Sequence, residues 1–158
     1  MGRLLEIMGY RMDKVLGLTG KVVSGVEKAA YFTQLDWVQE QCMQKLGFKP
    51  YPGTLNIEIE EDDISIVEAL KREEGFKLIP PDPNFCAATV LPVNIGGVKG
   101  AIVVPAENVN VHENKIVEVL AGLSLRGVLD VTDGDMVTLV IEKSVKRDNL
   151  KSAISFSN

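Results

Sequence analysis

Two small oxygen-bearing side chains open the chemistry of this chain. Thr54 and Asn56 stand two residues apart in the stretch Gly53-Thr-Leu-Asn-Ile-Glu-Ile59. Leu55, Ile57 and Ile59 alternate there with Thr54, Asn56 and Glu58, the period of a strand with one buried face. Thr54 and Asn56 therefore share a face at the start of that strand. Both are neutral oxygen donors of the kind a hard cation accepts, and Mg²⁺ typically takes few protein ligands and completes its octahedron with phosphates and water. Spacing alone favours the plainer alternative, the wet face of an ordinary strand. A second acidic grouping follows at Glu58, Glu60, Glu61, Asp62 and Asp63. It reads as the first turn of a helix, where carboxylates complement the macrodipole, with a metal cluster as the alternative.

Other chemistries have little material. His112 is the only histidine, and Cys42 and Cys86 lie far apart with no Cys-x-x-Cys pairing. Structural zinc is excluded on that count. His112, between Val111 and Glu113, has no nucleophile motif beside it and reads as an exposed residue in a helical first turn. The two thiols suit a reducing, cytoplasmic setting. With 158 residues, 46% hydrophobic and 25% charged, the chain can bury one ordinary core. The net charge of −5 argues against a nucleic-acid binder acting through bulk charge. No apolar run approaches membrane length, and the patch Leu4 to Met8 is too brief for a signal peptide.

The elements that must position Thr54 and Asn56 are local and well punctuated. A helix starting at Thr33, with Asp36 completing a capping-box pattern, buries Leu35, Val38, Cys42 and Leu46. Gly47 caps it, Pro50 and Pro52 forbid its continuation, and Gly53 permits the bend into the strand. Before it, residues 1–14 form an N-terminal extension in which Leu4 to Met8 make a turn and a half of helix. Residues 15–23 form a strand interrupted by Gly17 and Gly20, and 24–30 form a loop. After the strand, Ile66, Val67 and Leu70 give a second helix its face and Gly75 ends it. Residues 76–84 read as a Pro-rich connector and 85–91 as a strand. Gly96-Gly97 is a two-residue hairpin turn, and Ala101 to Val104 a strand stopped by Pro105. Asn110 caps a third helix, with Glu113 completing the box and Ile116, Val117 and Leu120 facing inward, ended by Gly122. Residues 123–129 are an extended link, Asp133-Gly134-Asp135 a turn, Met136 to Ile141 the last strand, and 144–158 a polar tail. One echo stands out: Leu46…Gly53 and Leu129…Gly134 each run from a leucine through a glycine turn into an alternating strand. Short strands outnumbering helices favour a small closed barrel over a doubly wound sheet.

Taken in order, Gly20-Lys-Val-Val-Ser-Gly25, Tyr31-Phe32, Leu46-Gly-Phe-Lys-Pro-Tyr-Pro-Gly-Thr-Leu-Asn56, Gly100-Ala-Ile-Val-Val-Pro105, Ile116-Val-Glu-Val-Leu-Ala121, Leu125-Arg126 and Asp133-Gly134-Asp135 resemble the archaeal-type CTP-dependent riboflavin kinases over roughly residues 18–142. The resemblance implies a mainly β fold with α elements: a six-stranded cradle-loop barrel with about three peripheral helices, forming a single domain over 15–143. It also implies transfer of the terminal phosphate of CTP to the ribityl 5′-hydroxyl of riboflavin, giving FMN and CDP, with Mg²⁺. Carried over by position, Thr54 and Asn56 resemble the metal ligands. Glu118 resembles a flavin-contacting glutamate that could also accept the hydroxyl proton, and Asn108 stands where the family has a flavin-contacting threonine. The loop Gly25, Val26, Glu27, Lys28, Ala29, Ala30 and the segment Leu123, Ser124, Leu125, Arg126 correspond to nucleotide-contacting stretches. Arg126 is placed to supply fixed positive charge, or else a surface salt bridge.

The chain departs from the pattern at Glu27 and Ala29, where the family's phosphate loop carries glycines that admit positive φ and close backbone approach. That departure keeps two alternatives open: a related kinase with altered nucleotide or acceptor, and a non-catalytic flavin- or nucleotide-binding or regulatory domain. No nucleic-acid or membrane partner is expected, and the oligomeric state is left open.

Overall fold

The computed structural model describes residues 2–7, 10–25, 28–84, 87–105 and 115–143. Among the described residues eight strands and four helices run in the order β1 (Gly2–Ile7), β2 (Tyr10–Val23), α1 (Lys28–Thr33), α2 (Asp36–Leu46), β3 (Leu55–Ile59), α3 (Glu61–Glu74), β4 (Phe76–Leu78), β5 (Ala88–Ile95), β6 (Val98–Pro105), β7 (Ile116–Ala121), α4 (Leu125–Leu129) and β8 (Met136–Lys143). Six of the strands close a ring, β2-β3-β7-β6-β5-β8 and back to β2, every neighbour antiparallel. This is the expected six-stranded barrel. Two further strands lie outside the ring, β1 hairpinned on β2 and β4 on β5.

The barrel interior is filled by alternate residues of the ring, among them Leu18, Ile57, Ile102, Val119 and Leu139, with Ile64, Val67 and Leu70 of α3 packed into the same core. A second, smaller core lies outside the wall, where Val38 and Cys42 of α2 cover Val90, Ala101, Val103 and Leu120. Strands β5, β6 and β7 are thus apolar on both faces. Burial raises the Cys42 thiol to a pKa of about 11, which makes it a packing residue rather than a nucleophile.

Both-face burial explains the largest correction to the sequence reading. The segment Ile116–Ala121, expected as part of a third helix, is strand β7. Ile116, Val117 and Val119 are β-branched and stiff in χ1, which suits a pleated strand. Because Leu120 is buried under α2 while Val117, Val119 and Ala121 face the barrel, the run lacks alternation and mimics a helical stripe. Asn110 and Glu113, the expected cap and box, lie outside the described residues, as do His112, Cys86 and the tail 144–158.

Smaller corrections follow the same logic of long-range contact. Leu4 to Ile7 belong to β1, paired with β2 rather than helical. The supposed loop 24–30 already contains the start of α1, and Thr33 ends that helix instead of starting α2. The connector 76–84 contains β4, and the link 123–129 contains α4, capped by Ser124 accepting from the Gly127 N–H. Strand β5 runs on through Pro92 to Ile95. Its outer edge is paired with β4 at residues 88–90 and with β8 at 94–95, so proline sits in the unpaired gap where no N–H is needed. The local punctuation holds: Gly47 caps α2 at φ 84°, Gly96 and Gly97 turn the β5–β6 hairpin at φ 56° and 85°, and Gly134 turns into β8 at φ 97°. The echo has a structural counterpart. Helices α2 and α4 both end on a left-handed residue, Gly47 or Asp130, and lead through a glycine turn into β3 and β8, which pair with opposite edges of β2.

Gly20 is where those two pairings meet, opposite both Ile59 and Val137. A Cβ there would lie 2.6 Å from the Glu58 carbonyl oxygen and 2.9 Å from Ile59 Cγ2. Gly20→Ala should destabilise the barrel by about 1–3 kcal/mol, the usual range for overpacking, read as a lower denaturant midpoint at unchanged slope.

Candidate active site on the outer wall of the barrel

Strand β3 lies between β2 and β7, and its register decides what it presents. Leu55, Ile57 and Ile59 point into the barrel, so Thr54 and Asn56 face outward, towards the layer that holds α2. Asn56 pairs directly with Glu118 on β7 and with Val23 on β2. Thr54 Oγ1 donates a hydrogen bond of 3.0 Å to Glu118 Oε1. A hydroxyl, an amide and a carboxylate from two strands are thereby gathered on one patch. Asn56 is only 8% exposed, so the strand alternation that predicted a wet face fails at this residue. The cover comes from Gly25, just beyond the end of β2. A Cβ at position 25 would fall onto the Asn56 side-chain amide, so only glycine lets the chain pass this close.

The turn that delivers Thr54 is pinned from three sides. The Tyr51 N–H donates 2.7 Å to the Ala121 carbonyl at the end of β7. The Gly53 N–H donates 2.9 Å to Thr33 Oγ1. The Gln39 amide, in the first turn of α2, donates 2.8 Å to the Pro50 carbonyl.

Arg126, read as a source of fixed positive charge or else as a surface salt bridge, is found in an exposed ion pair. Its guanidinium donates 2.7 Å to Asp133 Oδ1 and 3.3 Å to the Val23 carbonyl. The Ser24 hydroxyl donates to the other oxygen of the same carboxylate. One knot thus joins α4, the turn before β8 and the end of β2, immediately before Gly25. Hydrogen bonds from Ser24 and then Arg126, with the guanidinium charge, hold Asp133 below the usual carboxylate range. Ser24 and Asp133 were not singled out by sequence reading; they are 109 positions apart, and only the turn signal at Asp133-Gly134-Asp135 marked the place.

The structure therefore brings together Thr54, Asn56, Glu118 and Gly25, and sets Arg126 with the segment Leu123, Ser124 and Leu125 beside the start of the same loop. Lys28, Ala29 and Ala30 form the first half of α1. Val26, Glu27 and Asn108 lie outside the described residues. Among the described residues no cluster of three or more His, Cys, Asp or Glu side chains is placed to hold a metal, and the acidic run 61–63 is the first turn of α3. No helix among them is long and apolar enough to cross a membrane.

A family model for the CTP-dependent riboflavin kinases, described as a domain of unknown function, DUF120, matches residues 22–141. That span covers β3, β7 and every residue of the outer-wall cluster. The chain belongs to the CTP-dependent riboflavin kinase family. Among curated relatives, it is 32% identical over 143 residues to the riboflavin kinase of Archaeoglobus fulgidus, an alignment covering 86% of this chain and 60% of that protein. It is 33% identical over 142 residues to the riboflavin kinase of Pyrobaculum islandicum, covering 87% and 66%. The riboflavin kinase of Methanobrevibacter smithii is 36% identical over 123 residues and is covered over 97% of its length, with 77% of this chain aligned. The chain thus spans roughly three fifths to two thirds of the first two relatives and nearly all of the third.

Two outcomes follow from the geometry. Gly25→Ala should displace the Asn56 amide from its place opposite Glu118 while the barrel folds normally, seen as shifted Asn56 side-chain NMR signals against an otherwise preserved spectrum. Asp133 should contribute stability that is complete above the ordinary aspartate range and is lost as pH falls through its lowered value. In thermal melts the gap between wild type and Asp133→Asn should stay constant from about pH 5 to 8 and close below about pH 4, where the unpaired carboxyl would protonate.

Proposed function

We propose that this chain is a riboflavin kinase, transferring the terminal phosphate of CTP to the ribityl 5′-hydroxyl of riboflavin to give FMN and CDP. The observation that carries the reading is the convergence of Thr54, Asn56, Glu118 and Gly25, from three separate stretches of chain, on one patch of the outer wall in a protein of this family.

Mg²⁺ fits the donor set. A hydroxyl, an amide oxygen and an adjacent carboxylate are hard oxygen groups, and the strand register holds Asn56 opposite Glu118. Thr54 and Asn56 are the residues that would hold the ion, which when bound supplies charge neutralisation and alignment to the triphosphate. The protein's own work is positioning. Gly25 allows the backbone of the nucleotide loop to lie against the Asn56 amide. The Thr54 hydroxyl, donating to Oε1, orients the Glu118 carboxylate. In the transfer the 5′-oxygen forms the new bond to the terminal phosphorus, the bond to the bridging oxygen breaks, and CDP leaves with the electron pair. In this reading Glu118 takes the hydroxyl proton and, with Asn108, contacts the flavin, roles carried over from the family resemblance. Leu123 to Arg126 and the loop from Gly25 to Ala30 contact the nucleotide. Arg126, committed to Asp133 and the Val23 carbonyl, anchors these two segments to one another rather than neutralising phosphate. The activity belongs to the cytoplasm, with which the free, buried Cys42 agrees.

A second reading, a kinase with altered nucleotide choice, is motivated by Glu27 and Ala29 in the loop. Offering CTP and ATP in parallel with riboflavin and Mg²⁺, and separating products by chromatography, distinguishes the two. FMN from CTP alone is expected. FMN from ATP instead would favour the second reading, and no FMN from a folded sample would return the chain to the binding or regulatory class. Thr54→Ala combined with Asn56→Ala should abolish turnover, a loss of about a thousandfold or more for removing a metal's alignment and charge, at unchanged far-ultraviolet circular dichroism. Wild-type rates in the double variant would overturn the metal assignment.

A further inference from the structure

Helix α1 carries the end of the nucleotide loop, and the turn Pro50–Gly53 delivers Thr54. They are distant in sequence, yet one buried side chain joins them. Thr33 is fully buried. Its Oγ1 donates 3.1 Å to the Ala30 carbonyl, closing the last turn of α1, and accepts 2.9 Å from the Gly53 N–H. The neighbouring Gln39 amide spans the same joint, donating to the Thr33 carbonyl as well as to Pro50. The Thr33 hydroxyl is therefore used in both directions at once, as donor to the loop helix and as acceptor from the turn.

We propose that Thr33, supported by Gln39, is a positioning residue that fixes the nucleotide loop at a set distance from the Thr54–Asn56–Glu118 cluster. This rests on the kinase reading for its kinetic consequence but not for its structural one. The Gly53 N–H is the last donor before Thr54, so the bond it makes sets the height at which the Thr54 hydroxyl meets Glu118. The Ala30 carbonyl belongs to the loop that contacts the nucleotide. If one hydroxyl holds both, a donor triphosphate gripped by the loop is presented to the cluster at a fixed separation. Phosphoryl transfer is sensitive to such separations: misplacement of about 1 Å can reduce rates on the order of a hundredfold. Only a hydroxyl serves, because the position needs a donor and an acceptor at one atom. Serine keeps both functions. Valine keeps the shape and loses both.

The test compares wild type, Thr33→Val, Thr33→Ser and Gln39→Leu as full-length chains. Amide hydrogen exchange without ligand reads the coupling. Thr33→Val should speed exchange both at Gly53–Asn56 and at Lys28–Thr33, leaving β5, β6 and β8 protected, and Thr33→Ser should restore both segments. Steady-state FMN formation reads the consequence. Thr33→Val should lower kcat at least tenfold and raise the Mg²⁺ concentration for half-maximal rate, with the riboflavin KM within twofold of wild type. Thr33→Ser should stay within about threefold of wild type. A lower melting temperature with unchanged kcat, Mg²⁺ dependence and two-segment exchange would overturn the proposal, leaving Thr33 a packing residue. Should Thr33→Val fail to fold, Gln39→Leu carries the same exchange and kinetic comparison, and wild-type values there overturn it equally. Failure of the wild type to make FMN would overturn the kinase reading alone; the exchange experiment still decides the coupling.

Discussion

The register of β3 against β7 is the constraint on which the site depends. With Asn56 opposite Glu118, the apolar set Leu55, Ile57 and Ile59 falls inside the barrel and the oxygen-bearing set falls outside. A slip of one residue would send Asn56 into the core and Ile57 to the surface, so the hydrophobic interior enforces the polar geometry. Ile57, fully buried, contributes roughly 1.5–3 kcal/mol of transfer free energy to that choice. The energy that fixes the candidate metal ligands is therefore hydrophobic and lies on the opposite face of the strand from the chemistry.

The loops around this rigid seam are tied by polar contacts of long sequence separation. Before the nucleotide loop, Ser24, Asp133, Arg126 and the Val23 carbonyl knot three segments together. After it, Thr33 and Gln39 bind α1 and α2 to the turn before Thr54. The first knot is solvent-exposed, where an ion pair contributes little to stability, but two different donors on the two oxygens of one carboxylate still fix its direction. The second is partly buried around the fully buried Thr33, where an unmet hydrogen bond is expensive and geometry is held more firmly. A cavity of about 400 Å³ lies further round the wall, lined by Lys45, Phe48, Phe76, Pro92 and Lys99, and none of the cluster residues borders it.

What could be read from the sequence was what local chemistry decides. Gly47, Gly53, Gly96-Gly97 and Gly134 marked their turns because left-handed backbone needs glycine there, and the period of Leu55–Ile59 marked the strand. Strand β7 was misread because α2 covers its outer face, and a segment buried on both sides loses the alternation that identifies a strand. Strand β4 and helix α4, three and five residues long, are too short to show a period. Thr54 and Asn56 could be picked out from residue type and spacing, whereas Glu118 came only from family resemblance and was expected on a helix. Thr33 was mistaken for a cap of α2 because its hydroxyl is spent on Ala30 and on Gly53, a partner twenty residues away. Asp133 showed only as part of a turn and Ser24 only as part of the Gly20–Gly25 stretch, since nothing local reveals which carboxylate an arginine will meet.

The most direct measurement is paramagnetic: Mn²⁺ added with CDP to isotope-labelled protein, followed by amide and side-chain NMR. Gly25, Thr54, the Asn56 side chain and Glu118 should broaden first, while Ile66 and Ala69 of α3 and the residues around Lys45 and Lys99 stay sharp. Broadening centred instead on the Glu61–Asp63 turn or on the Lys45–Lys99 cavity would contradict it and move the metal–nucleotide site away from the β3–β7 seam.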